Sequence, residues 1–132
     1  MQKRVAVAVV SIVLATGCAH MRSAFNDPSV KDVAVNVSTY RDVSVGEEPA
    51  HVHGEKRIRW TVPVGYVFPE DGIEWLSKES LAVFHCKRED ARTYACDIDK
   101  AASRKKKHEY NVNLTDDRGM RLTSADPFVW IH

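Results

Sequence analysis

Two histidines separated by one residue, His51 and His53, are the side chains in this sequence best spaced for coordination chemistry. In a His-x-His segment on a strand or loop both imidazoles reach one ion, and Glu47, Glu48 or Glu55 stands close enough to add a carboxylate. The pattern is the best metal candidate in the sequence, although two ligands are not a site and a pair of solvated loop histidines is the commoner reading. A copper centre of the electron-transfer kind needs two His, a thiolate and a weak axial Met close together. Here Cys96 has no histidine after it until His108, and Met120 lies further on, so that centre is not expected. The sequence holds no Gly-x-Ser-x-Gly elbow, no His-Glu-x-x-His and no phosphate-binding glycine loop. The paired acids Glu70-Asp71, Glu89-Asp90 and Asp116-Asp117 fall in expected turns, where solvated charge accounts for them. The expectation is a protein without enzymatic activity or cofactor, with metal at His51 and His53 as the alternative.

Two more groups are candidates for recognition. Arg104, Lys105, Lys106 and Lys107 form a basic run suited to an anionic surface component or an acidic protein partner, although Asp97, Asp99 and Glu109 flank it. Trp75 stands in the least regular stretch of the chain. Of the aromatics it is the one most open to exposure, and so the candidate anchor for an envelope protein partner, with a place in the core as the leading reading.

These groups must be placed by the export segment first. Met1 to Arg4 is a short basic head, Val5 to Leu14 is an apolar run broken only by Ser11, and Ala15-Thr16-Gly17-Cys18 closes it with small residues and a thiol. That is the anatomy of a secretory signal, and the run falls short of the roughly 20 residues a membrane-spanning helix needs. Ending at Gly17-Cys18, the segment resembles a bacterial lipoprotein signal peptide, with Ala15 where Leu is usual. The resemblance implies a signal over residues 1–17, acyl chains on Cys18, and sorting to the outer membrane at its periplasmic face, since Ala19 rather than Asp follows the cysteine. Fatty chains of this kind exceed the two-signal requirement for stable anchoring.

Cleavage there removes 17 of the 132 residues and leaves 115, enough for one small domain. Lys3 and Arg4 leave with the signal, so 17 of the 19 basic residues face 18 acidic ones. A near-neutral chain gives no reason to expect nucleic acid as a partner. With Cys18 used by the anchor, Cys86 and Cys96 remain as a pair, and an oxidising compartment favours a disulfide between them.

The rest of the chain reads as strands. Residues 18–31 hold the anchor and a tether with the turn-forming Asn26-Asp27-Pro28-Ser29, and residues 32–132 form the domain. Val33, Val35 and Val37 alternate with polar or small residues, and Val43 with Val45 either continues that strand or forms another. Gly46 to Gly54 is expected to be an exposed loop carrying both candidate histidines. Ile58, Trp60 and Val62 point one way while Arg57, Arg59 and Thr61 point the other. Ile73, Trp75 and Leu76 suit a helical turn or irregular cover. A hairpin from Leu81 to Asp97, centred on Ala91, puts Phe84, Cys86, Tyr94, Cys96 and Ile98 on one face and the two thiols opposite each other. Tyr110, Val112 and Leu114 alternate with Asn111, Asn113 and Thr115, and residues 126–132 suit a strand buried on both sides. About six or seven short strands without an amphipathic helix predict an all-β, antiparallel sandwich.

The run from Ile58 through Trp60, Val62, Gly65-Tyr66, Phe68-Pro69 and Asp71-Gly72-Ile73, the paired cysteines and the ending Asp126 to Trp130 resemble small bacterial envelope domains of immunoglobulin-like or cupredoxin-like topology. That resemblance carries no function. The functional expectation is an outer-membrane-anchored, non-enzymatic binding or assembly module of the cell envelope; the alternative is a periplasmic metal-binding protein using His51 and His53. A small hydrolase or lysozyme-inhibitor-like protein acting at peptidoglycan is a third class.

Overall fold

The computed structural model describes residues 27–124 and 127–132. The expected signal segment, Cys18 and most of the tether lie outside the described residues. The first strand, β1 (Val30–Val37), buries Val33 and Val35 and leaves Ala34 and Asn36 in solvent, as its two-residue period requires. It begins ahead of Asp32, so the tether ends sooner than expected. A turn with Arg41 at φ 66° leads into β2 (Val43–Val45), a separate strand antiparallel to β1.

The stretch expected to be a loop holds β3 (Ala50–Val52), with Ala50 and Val52 buried. Then β4 (Arg57–Thr61) buries Ile58 and Trp60 as expected, and its outward arginines are paired, Arg57 with Asp97 at 2.6 Å and Arg59 with Asp32 at 2.9 Å. After β5 (Tyr66–Val67), residues Ile73–Trp75 form β6 in place of irregular cover. The helix α1 (Lys78–Val83) takes Leu81 to Val83, which the sequence assigned to a strand. Ser77 explains its start: the hydroxyl accepts a hydrogen bond from the Ser80 amide at 3.0 Å, and Glu79 lies in the first turn.

The hairpin is made of β7 (Phe84–Asp90) and β8 (Thr93–Ile98), which pair Cys86 with Cys96 in a disulfide and carry one bulge between Arg88 and Asp90. A long strand, β9 (Lys106–Asp116), is followed by β10 (Arg121–Thr123) and β11 (Phe128–Ile131). One sheet runs β2-β1-β4-β8-β7. The other runs β10-β9-β11-β3, with β5 and β6 also pairing β9. One core joins the sheets, and at its centre the Trp60 indole donates to the Tyr110 hydroxyl at 3.1 Å.

The protein is therefore an all-β sandwich, with three departures from the expected pattern. Eleven strand segments are formed among the described residues, several only two or three residues long. Two pairings, β1 with β4 and β3 with β11, are parallel, so both sheets are mixed. Finally, β11 buries Val129 and Ile131 but leaves Phe128 and Trp130 half-buried, because only one of its faces meets the core.

Candidate functional site

The parallel pairing of β3 with β11 builds the site. Because Ala50 and Val52 turn inward, His51 turns outward, and the same parity carries His53 beyond the end of the strand. In register, Trp130 lies opposite His51 and Ile131 opposite Val52, and the His132 amide donates to the Val52 carbonyl at 3.0 Å. The next outward position on β11 is therefore His132, beside the two candidate histidines. Its imidazole stacks on that of His53 with ring centres 4.0 Å apart, and its Nε2 is 2.8 Å from His51 Nδ1.

One nitrogen from each ring lies within 4.8 Å of the other two, and among the described residues no carboxylate joins the group. The acids expected to help are held elsewhere. Glu47 pairs with Lys31 at 2.7 Å and accepts from the His51 amide, while Glu55 accepts from the His53 amide at 2.9 Å. Partial desolvation, then the adjacent His53 and His51, holds the His132 imidazole below the ordinary histidine range. A lower proton affinity leaves more of that ring neutral and able to ligate. Three neutral imidazoles on one face are a donor set for zinc or copper. Zinc in such sites takes nitrogens at about 2.0–2.1 Å and keeps a fourth position for another ligand.

His53 and His132 also line a surface cavity of about 490 Å³, with Val52, Ile98, Ala102 and Ile131 as its apolar wall. The sequence reading missed His132. The alternation Trp130-x-His132 was visible, but only a parallel partner strand gives it meaning, and β3 is too short to declare itself.

The other candidates are dispersed. Trp75 is 5 % exposed, stacked on Phe84 at 3.9 Å and donating its indole N–H to Cys86 Sγ at 3.2 Å. Trp75 is thus a core residue, as the leading reading of it had it, and not a partner anchor, because strand β6 faces it inward; its neighbour Leu76 is the exposed one. The basic run is split. Lys106 pairs with Glu79, and Lys107 pairs with Glu109 at 3.0 Å while its ammonium lies 4.6 Å from the centre of the Phe128 ring. Arg104 lines the cavity beside His53 and His132, and Lys105 stands in a turn at φ 55°.

A buried histidine was also missed. His108 is 1 % exposed, its Nδ1 lies 2.8 Å from the Ser80 hydroxyl, and its Nε2 has no hydrogen-bond partner among the described residues. Its parity with Tyr110 was the available signal. Asn113, expected outward, is buried and satisfied by the Asp71 carbonyl and the Thr123 hydroxyl, both at 2.8 Å. No protein-family model matches this chain, and comparison with curated proteins finds none similar to it.

Proposed function

We propose that this chain is a lipid-anchored protein of the bacterial envelope, held through Cys18 at the periplasmic face of the outer membrane, whose domain binds a transition-metal ion with His51, His53 and His132. The observation that carries the metal reading is the convergence of three imidazole nitrogens within 4.8 Å, from two strands whose hydrogen bonds fix the spacing. The anchor rests on the resemblance of residues 1–18 to a lipoprotein signal. The activity is binding rather than catalysis, consistent with the missing catalytic motifs.

The test is titration of zinc and of copper(II) into the purified protein, wild type and variants. One ion per chain is expected, with affinity lost in His132→Ala and in the double variant His51→Ala/His53→Ala. Absent binding, or binding untouched by these substitutions, would remove the metal reading.

An assembly module remains a second reading, favoured by one observation. Tyr40, Val64 and Met120 are 87 %, 82 % and 58 % exposed, and all three belong to turns at the end of the sandwich away from the histidines. Arg41 and Asp116 tie two of these turns together, and Tyr66 pairs with Asp116. An envelope protein docking there would be lost from crosslinked complexes on changing all three to serine, with the histidine site unaffected.

A further inference from the structure

The cavity beside the histidines has a charge pattern that the metal reading alone does not use. Lys56, Lys100 and Arg104 line it together with Glu55 and Asp99. The two carboxylates are already engaged. Glu55 accepts from the His53 amide, and Asp99 accepts from the Ala101 amide at 2.9 Å and lies 3.4 Å from His85 Nε2. Those bonds hold the Asp99 carboxyl below its ordinary range, the Ala101 amide first, so it stays an occupied anion. None of the three cations takes part in an ion pair among the described residues, although Lys31, Arg41, Arg57, Arg59, Lys106, Lys107 and Arg121 all do. Three cations outside any ion pair and two amide-bonded carboxylates, a net charge of +1, therefore rim an apolar wall, and two of the three candidate metal ligands stand on the same rim.

We infer that this cavity binds an oxyanion of the phosphate-ester class bearing an apolar group, with the anion completing the coordination of the ion held by the three histidines. The proposal rests on the metal reading and adds a ligand to it. A three-imidazole site leaves a position open, and a phosphoryl oxygen fills it. Arg104 supplies the planar fork that suits phosphate oxygens, while Lys56 and Lys100 act as point charges. Val52, Ile98, Ala102 and Ile131 give the apolar group a surface. Such a phosphate comes either from a phospholipid headgroup or from a free ester.

The experiment is calorimetric titration of the full chain, with and without one equivalent of zinc, using phenyl phosphate and inorganic phosphate as probes. Zinc-loaded wild type is expected to bind phenyl phosphate at least tenfold more tightly than the zinc-free protein does. Lys100→Ala/Arg104→Ala is expected to keep zinc affinity and lose at least tenfold in phenyl phosphate affinity. Equal phenyl phosphate binding with and without zinc, or in the double variant, overturns the proposal while leaving the metal site standing. Failure to bind zinc at all removes both. Sedimentation with phosphatidylglycerol vesicles against phosphatidylcholine vesicles identifies the source. Variant-sensitive capture by the anionic vesicles supports the headgroup, and capture by neither, with phenyl phosphate still bound, supports a free ester.

Discussion

A neutral imidazole ligates a metal and a protonated one does not, so the proposed three-histidine site would compete with protons for an ion. His132 is held below the ordinary histidine range, chiefly by desolvation, and so yields to protons later than an unperturbed ring would. Zinc affinity is expected to change little above about pH 7 and to fall steeply toward pH 5, since unperturbed histidine titrates near 6.5. Affinity measured across that range checks it, and a flat profile would assign the ion to other ligands. His108 titrates in a different cause. Its burial lowers its pKa, against the opposing pull of Glu79 and with a smaller push in the same direction from Lys106. The unfolded chain then binds the extra proton first, so this contribution to stability is complete above the unfolded value of about 6.5 and is lost as pH falls through the folded one. Thermal midpoints at pH 7 and 5 should show that drop in the wild type and a smaller one in His108→Leu, with Ser80 still bonded to Ser77 at 2.8 Å. Neither histidine stood out in the sequence. A lone His at an inward parity position reads the same whether it is buried or frayed, and His132 acquires meaning only beside His51 and His53.

Among the elements, the β7–β8 hairpin was the most legible and the segment from Gly46 to Trp75 the least. Parity and the ten-residue spacing placed Cys86 opposite Cys96, and the register agrees, with β7 continuing closer to the turn than expected, to Asp90. Long alternations such as Ile58 to Val62 and Tyr110 to Leu114 declare their faces because several residues repeat the period. By contrast, β3 has one inward pair, Ala50 and Val52, between Pro49 and Gly54, and β6 is three residues long. Strands that short carry no periodicity, and it is their pairing with β11 and β9 that makes them strands. This is why Trp75 stood as the aromatic most open to exposure. Its Trp75→Ala variant is expected to cost about 3–5 kcal/mol, the usual range for emptying a buried aromatic site. The disulfide closes a short loop, and Cys86→Ser/Cys96→Ser should cost about 2–4 kcal/mol. Urea unfolding measures both, and a midpoint unchanged by the cysteine pair would mean that the strand pairing alone holds the hairpin.

At the scale of the whole molecule, the parallel pairing of β1 with β4 decides where the tether leaves the domain. The Ser29 carbonyl accepts from the Lys56 and Arg57 amides at 2.8 and 3.2 Å, so the chain arrives from its N-terminal side three residues along from His53. The histidines and the cationic cavity thus share an end of the sandwich with the tether, and the exposed Tyr40, Val64 and Met120 stand at the other. If Cys18 carries the acyl chains, the nine residues from it to Asp27 reach at most about 30 Å. Under the proposed anchor, that length would keep the site within reach of lipid headgroup phosphates. Everything in that orientation depends on one thiol. Replacing Cys18 by Ser is expected to move the protein from the outer-membrane fraction to the soluble or uncleaved pool, and to remove the mass of the acyl chains. A Cys18→Ser protein that stayed in the outer membrane would transfer the attachment to the folded domain itself, and its cationic cavity would be the first surface to neutralise.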